Sequence, residues 1–166
     1  CALWLSREFN IGTPVVPRFI SPGQCQVLVS GPCLLFVTIR APSLKCNIAV
    51  AHLPHAQSTA GAPHASQVLA EIEACQPTSA VTSAPLVLLV DANARVGSVC
   101  SASVGPFGAE AENQCGTLFR TWLQSQGMWL PSSFGATAAG PQATWKVSSE
   151  AARRIDYIAV SSHNIV

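Results

Sequence analysis

The aliphatic run Pro85-Leu-Val-Leu-Leu-Val90 constrains the fold more than any other feature of this chain. An uninterrupted run of this kind is typical of a central strand that is covered on both faces. Because such a strand needs helices or another sheet on either side, the run favours a layered α/β or α+β fold. Asp91 follows the run directly, so we expect its carboxylate at the end of a buried strand.

Further strands and two helices are predicted around this run. Apolar or β-branched segments predict strands at 1–5, 27–29, 34–39, 48–50 and 155–160, the second and third of them forming a hairpin. Apolar residues at three- and four-residue spacing predict an amphipathic helix between Pro63 and Gln76. A second helix is expected with Asn113 as its N-cap and Gly127 just past its end.

The composition excludes several classes of protein and partner. At 166 residues the chain has the length of one domain, but only 10% of the residues are charged, against ~25% in a typical soluble domain. With a net charge of +1 and no block of Lys or Arg, it lacks the basic stripe of a general nucleic-acid binder, so a nucleic-acid role must rest on a site. No apolar run reaches the ~18 residues of a membrane helix, so no membrane partner is expected. Nothing in the sequence points to a protein partner.

The cysteines bear on the compartment. The chain has seven, an odd number, and none is placed in a C-x-x-C pair or a zinc-type spacing with His. This favours reduced thiols in an intracellular compartment, cytoplasm or nucleus, over disulfides. The chain begins with Cys1 rather than Met and shows no signal peptide, which suggests a piece of a longer protein.

Polar residues at strand ends are the first candidates for chemistry. Asp91 and Asn93 follow the buried strand, where a carboxylate can bind a hard cation or take a proton from water and an amide can orient a phosphate oxygen. The alternative is a plain turn, because Asp and Asn are favoured turn residues. His52 and His55 end another strand, where they can ligate a metal, contact a phosphate or be ordinary loop residues.

Asp156 is the third candidate. It lies inside the last apolar strand, just after Arg153 and Arg154. A carboxylate buried in a strand is destabilising by several kcal/mol unless it is paired, so the sequence predicts a partner. That partner is either one of the two arginines, in a structural ion pair, or a histidine whose tautomer and charge the carboxylate holds.

The order of the motifs adds a resemblance to a known family. The chain reads His-Leu-Pro-His at 52–55, the aliphatic run with Asp-Ala-Asn at 91–93, Asn-x-x-Gly-x-Leu at 113–118, Ala-Thr-Trp at 143–145 and Arg-Ile-Asp-Tyr-Ile at 154–158. This succession resembles the endonuclease/exonuclease/phosphatase superfamily, above all the endonuclease domains of non-LTR retrotransposons, over nearly the whole chain. The resemblance implies two stacked, mostly antiparallel β-sheets flanked by helices in a four-layer sandwich that is incomplete at both termini, with 1–166 as part of one domain.

The resemblance also implies an activity and a site. The family hydrolyses phosphodiester or phosphomonoester bonds with Mg²⁺ or Mn²⁺, and its retrotransposon members act on DNA. Asp91 would orient or deprotonate the attacking water and contribute to the metal site, Asn93 would hold water and a phosphate oxygen, and Asp156 would hydrogen-bond the catalytic histidine. The remaining substrate contacts would come from His52 and His55, which replace a Tyr and an Asn of the family, and from Trp145.

Some motifs of the family are not found. Its Asn and its main metal ligand, a Glu, would lie before residue 1, and its final Ser-Asp-His has only Ser161-Ser-His163 as a candidate, in which we expect His163 to be a loop residue. Because such groups act as a unit, the chain alone is expected to be inactive. Two alternatives stay open: a non-catalytic remnant or binding module with the same fold, and a phosphatase of the same superfamily.

Overall fold

The computed structural model describes residues 1–6, 9–13, 16–55, 61–76, 84–138, 142–146 and 151–162. They form a six-stranded mixed sheet and two α-helices, which confirms the predicted α/β class. The strands are β1 Cys25–Ser30, β2 Leu34–Ala41, β3 Leu44–His52, β4 Leu86–Asp91, β5 Met128–Trp129 and β6 Asp156–Ser161, and the helices are α1 Gly61–Ala74 and α2 Gln114–Ser125.

The order of strands in the sheet is β1-β2-β3-β4-β6-β5. The first three strands form an antiparallel meander that begins with the predicted hairpin, and β4 then pairs parallel to β3 after the crossover through α1. Strand β6 pairs antiparallel to β4. The ends of β3 and β4 and the beginning of β6 therefore meet at one edge. The described residues contain this one sheet, so the second sheet and the four layers stay a prediction.

The main core lies between the sheet and the helices. Along β4, Leu86, Leu88 and Val90 are almost completely buried, whereas the alternate residues are only half-buried. The prediction that this strand is covered on both faces is thus right for the helix side and wrong for the other within the described residues, because both helices pack on the same side. Phe119 and Leu123 of α2 and Leu69 and Ile72 of α1 fill this core.

The helix boundaries follow the predicted signals. Asn113 is the N-cap of α2 and accepts a hydrogen bond from the Gly116 backbone N–H, at 2.8 Å. Gly127, which follows that helix, has a φ of 58°, a conformation that favours glycine. No helix among the described residues is both long enough and apolar enough to span a membrane.

Two sequence predictions are wrong. Residues 1–5 form no strand, and Trp4 is 93% exposed. An apolar run becomes a strand only where a neighbour takes its N–H and C=O groups, and no described strand pairs with these residues. Asp156 is not buried inside β6 either, because it is the first residue of that strand and is exposed. The expected penalty for burying this carboxylate does not arise.

Candidate active site

Three polar side chains stand in one row at the edge where β3 and β4 end and β6 begins. His52 is in register with Asp91 across the parallel pair, and Asp91 is in register with Asp156 across the antiparallel pair. The row is exposed at both ends, since His52 and Asp156 are solvent-accessible and Asp91 between them is half-buried. Three candidates that lie far apart in the sequence are thus neighbours in the sheet.

The central feature of this row is a pair of like charges. Carboxylates directly opposite each other on antiparallel strands repel and destabilise the sheet. In the part of the chain that is described, the ion pairs are His52–Asp91, with Nε2 3.8 Å from Oδ2, and Arg120–Glu112, so Asp156 takes part in neither. Two carboxylates opposed at the edge of a sheet can serve a site for a hard cation or for proton transfer.

Asn93 ties this row to the next loop. Its backbone N–H donates to Asp91 Oδ1 at 3.1 Å, which is the turn that the sequence offered as an alternative. Its side-chain Nδ2 donates to the Leu53 carbonyl at 2.7 Å and lies 3.4 Å from His52 Nε2. Asn93 also has a φ of 47°, a left-handed conformation that Asn adopts more readily than most other residues with a side chain. The turn and the site therefore coexist in the same residues.

The loop after β4 is held by Asn113 and Gly116, the two named residues of the Asn-x-x-Gly spacing at the start of α2. Asn113 Oδ1 accepts from the backbone N–H of Arg95 at 3.0 Å as well as from Gly116, and Nδ2 donates to the Asn93 carbonyl at 3.5 Å. A Cβ on Gly116 would lie 1.9 Å from the Arg95 carbonyl oxygen, so only glycine lets the loop lie against the helix. The signal for this role was present in the Asn-x-x-Gly spacing.

Thr144 performs the corresponding task at the start of β6. Its Oγ1 accepts hydrogen bonds from the backbone N–H groups of Ile155 and Asp156, both at 3.1 Å. The adjacent Trp145 forms a backbone bridge with Arg153 and is 40% exposed. Trp145 therefore lies close to the site because it follows Thr144 in the sequence, but it does not line the cleft described next.

A cleft of about 730 Å³ opens beside the two carboxylates. Its apolar floor is the sheet face that the helices leave uncovered, with Val50, Leu89 and Ile158, and its walls come from the segments after β5 and before β6. The polar residues that line it include Asp91, Ser132, Thr137, Gln142, Thr144, Arg154 and Asp156. A cleft that combines an apolar floor with convergent carboxylates has the usual composition of a substrate site.

Of the predicted site residues, Asp91 and Asp156 line the cleft, whereas His52, Asn93, His55 and Trp145 do not. His55 is exposed in the segment after β3 and does not line the cleft. His163, considered as the partner of Asp156 and expected to be a loop residue, lies outside the described residues. The roles of His52, His55 and Trp145 in substrate binding stay predictions.

The carboxylate oxygens of Asp91 and Asp156 are suitable ligands for a hard cation, but they form only part of a ligand set. Among the described residues, no three His, Cys, Asp or Glu side chains lie close enough together to hold a metal ion. Two carboxylates do match Mg²⁺, which is bound in many sites by one or two carboxylates together with substrate phosphates and water. Asp91 and Asp156 are therefore compatible with such an ion, with the other ligands supplied from elsewhere.

Comparison with known proteins places this architecture. No family model and no curated protein sequence matches the chain. Three solved structures share the fold. The endonuclease domain of TRAS1, a telomere-specific non-LTR retrotransposon, has a TM-score of 0.52 and 15% identity, over 78% of this chain and 51% of that one. A 3′ phosphatase from Neisseria bound to product DNA hairpin has a TM-score of 0.53 and 17% identity, over 86% of this chain and 60% of that one. An AP endonuclease from Leishmania major has a TM-score of 0.51 and 12% identity, over 78% of this chain and 46% of that one. The chain therefore has the endonuclease/exonuclease/phosphatase fold that its motifs predicted, over about half the length of these structures.

Proposed function

We propose that residues 1–166 are part of a domain that hydrolyses phosphodiester bonds in DNA, with Asp91, Asn93 and Asp156 as its catalytic residues. The observation that carries the proposal is the opposed pair Asp91 and Asp156, in line with His52 and beside the cleft. Solved structures of the same fold are named as endonucleases and as a phosphatase bound to DNA, which supports both the bond and the substrate.

Each catalytic residue has a role that its position supports. Asp91 is half-buried at the cleft, where its carboxylate orients the attacking water and takes the proton. Asn93, anchored to Leu53 and to Asp91, holds that water and a phosphate oxygen. Asp156 faces Asp91 from the other strand and holds the charge and tautomer of a catalytic histidine.

Substrate contacts come from the neighbours of these residues. His52 is about half exposed and lies 3.8 Å from Asp91, so in its protonated form it attracts a phosphate toward the carboxylates. His55 extends this contact along the loop after β3, and Trp145, 40% exposed beside Thr144, supports the substrate at the opposite end. Because the net charge is only +1, binding rests on these local contacts, and we expect a shallow salt dependence.

A divalent cation, Mg²⁺ or Mn²⁺, belongs to this proposal. Asp91 would be its main ligand here, with Asp156 close by on the neighbouring strand. When bound, such an ion polarises the phosphate ester and neutralises the charge that develops on its oxygens. The two carboxylates also repel each other less in its presence, because their charges are compensated.

Nicking of supercoiled plasmid DNA in the presence of Mg²⁺ tests the proposal. Because residues 1–166 alone are expected to be inactive, the assay uses a longer chain that also carries the family's Glu and Ser-Asp-His motifs. This longer chain should convert supercoiled to open-circular DNA, and Asp91→Ala in it should abolish this conversion because it removes the base and the metal ligand together. Glu73→Ala is a matched control, since it removes an exposed carboxylate of α1, outside the cleft. Equal nicking by the wild type and Asp91→Ala would refute the site. DNA binding without nicking by any variant would favour the non-catalytic binding module.

A second function, removal of a phosphate from a DNA end, is favoured by the similarity to the 3′ phosphatase from Neisseria. Two DNA substrates separate the two activities. The first is a duplex that carries a 3′-phosphate, and the second is the same duplex without it, in which only internal phosphodiester bonds can be cleaved. Release of inorganic phosphate from the first without cleavage of the second would assign the phosphatase. Inositol phosphates, offered beside the DNA substrates, show whether the site instead prefers small molecules.

A further inference from the structure

Among the buried residues that the structure describes, Arg154 is the only one with a charged side chain. Only 6% of its surface is exposed, although it stands two positions before the exposed Asp156. Burial of a guanidinium is unfavourable unless its donors find acceptors, so its contacts indicate what it is for.

These contacts join the segments that form the cleft. The guanidinium donates through Nε to the Gln142 carbonyl at 2.8 Å and through Nη1 to the Ser132 carbonyl at 3.0 Å. Ser132 and Gln142 belong to the two walls of the cleft. The backbone N–H of Arg154 donates to Glu110 Oε1 at 2.7 Å, which adds the long loop after β4. One residue thus connects three segments, of which the loop after β4 and the segment after β5 are also joined to each other by hydrogen bonds from the Gly105 and Phe107 N–H groups to Ser133.

The same connection reaches Asp156. The wall that Arg154 holds at Gln142 continues to Thr144, whose hydroxyl accepts from the N–H groups of Ile155 and Asp156. A displacement of this wall weakens the contact of that acceptor with the start of β6, which the Trp145–Arg153 bridge and the hydrogen bond from the Ala92 N–H to the Ile155 carbonyl also hold. The distance between the Asp91 and Asp156 carboxylates then changes, because the two residues are in register at the last pair of the ladder.

The geometry requires an arginine. Two N–H donors of the planar guanidinium reach two carbonyl groups on different segments. The single ammonium group of a lysine cannot reach both carbonyl groups in the same way. The space around the guanidinium is also filled, since a Cβ on Gly108 would lie 2.6 Å from Nη2.

We propose that Arg154 is a positioning residue, which fixes Asp156 for catalysis by holding both walls of the cleft and, through Thr144, the start of β6. This inference rests on the proposed function. It assigns Arg154 no contact with the substrate.

Kinetics of plasmid nicking, measured in the longer chain that carries the family's missing motifs, test this role with Arg154→Met, Arg154→Lys and Thr144→Val. We expect Arg154→Met to lower kcat by about a hundredfold with a smaller change in KM, and Arg154→Lys to recover part of the loss. Adding Thr144→Val to Arg154→Met should lower kcat little further, because both changes release the same strand end. Arg120→Met is the matched control: it breaks the pair with Glu112 outside the cleft and should leave kcat unchanged. Wild-type kcat in folded Arg154→Met, or fully additive losses in the double variant, would overturn the proposal.

Amide hydrogen exchange provides a readout that needs no activity. The Ile155 and Asp156 amides should exchange about tenfold faster in Arg154→Met or Arg154→Lys than in the wild type, and at the wild-type rate in Arg120→Met. Unchanged exchange at these two amides would overturn the role of Arg154. Faster exchange in a chain whose wild type nicks no DNA would leave that role intact and refute the proposed function alone.

Discussion

The two faces of the central sheet are built from the same kinds of residues and have different tasks. Ala49, Leu88 and Ala159 form a row across β3, β4 and β6 on the helix side, and each of the three is 0% exposed. The next row, Val50, Leu89 and Ile158, faces the cleft, and Ile158 is 55% exposed.

This difference separates stability from function within single strands. The helix-covered row is packed against α1 and α2, so its side chains contribute the full free energy of burial. The cleft row keeps part of its apolar surface in solvent, next to the carboxylates at the edge. Substitutions on one face should therefore change folding, and substitutions at the edge of the other should change chemistry.

The largest effect on stability is expected where two leucines, one on each face of β4, are compared. Leu88→Ala should lower the free energy of unfolding by about 2–5 kcal/mol, because it leaves a cavity in the core. Leu89→Ala should lower it by about 1 kcal/mol, because that side chain is only half-buried. Urea denaturation measures both. Equal losses would mean that the cleft face is covered in solution, and a dependence on protein concentration would identify a second copy of the chain as the cover.

Alkaline pH should act on the helix-covered face through Tyr157. Burial raises the pKa of this phenol well above its ordinary value, an effect reinforced by Glu110 and opposed by Arg154. Its hydroxyl oxygen lies 2.8 Å from the carbonyl oxygen of Arg154 and 3.0 Å from that of Ala94, and these two acceptors share its single proton. Because the folded pKa is raised, its contribution is complete below the unfolded pKa of about 10 and decreases by about 1.4 kcal/mol per pH unit above it.

Tyr157 is the one tyrosine of the chain, so its ionisation is read directly from the ultraviolet absorbance of tyrosinate. The absorbance should rise only where circular dichroism shows unfolding. A phenol that ionises near pH 10 in the folded chain would show that this side of the sheet is less well covered than the structure indicates.

Asn113 connects the two sides, since it caps α2 and holds the loop of Asn93. Asn113→Ala should lower the free energy of unfolding by about 1–2 kcal/mol and should also reduce plasmid nicking. Asn10→Ala is the matched control, because Asn10 Oδ1 also accepts from two backbone N–H groups, those of Gly12 and Arg18, but in the exposed N-terminal segment. A change in nicking with Asn10→Ala as large as with Asn113→Ala would remove the specific role of Asn113.

The elements could be predicted from the sequence because their signals are local. The strands around 27–29, 34–39, 48–50 and 86–90, both helices and the cap at Asn113 were predicted from periodicity and terminal residues. The same method failed at 1–5, where a local apolar pattern contains no information about a pairing partner.

The sequence predicted which residues belong to the site but not how they are arranged in space. Asp91, Asn93 and Asp156 were singled out from residue type and motif order, but their meeting at one edge depends on the parallel register of β3 with β4 and the antiparallel register of β4 with β6. Such pairings join residues distant in sequence, which no local pattern encodes. For the same reason Arg154 was considered as an ion-pair partner of Asp156, whereas its guanidinium donates to carbonyl groups of two loops.

The smallest expected effect concerns the opposed carboxylates at the edge of the cleft face. Asp91→Asn removes one of the like charges and should raise the free energy of unfolding by about 0.2–1 kcal/mol at neutral pH, while it abolishes nicking. The gain should shrink as salt is added, because both groups are accessible to solvent and their repulsion is screened. Asp156→Asn should give a similar gain, and the double variant should add little, since either change alone relieves the repulsion. A loss of stability in Asp91→Asn would mean that the carboxylate is held by interactions stronger than the repulsion, such as the turn to Asn93 and the pair with His52.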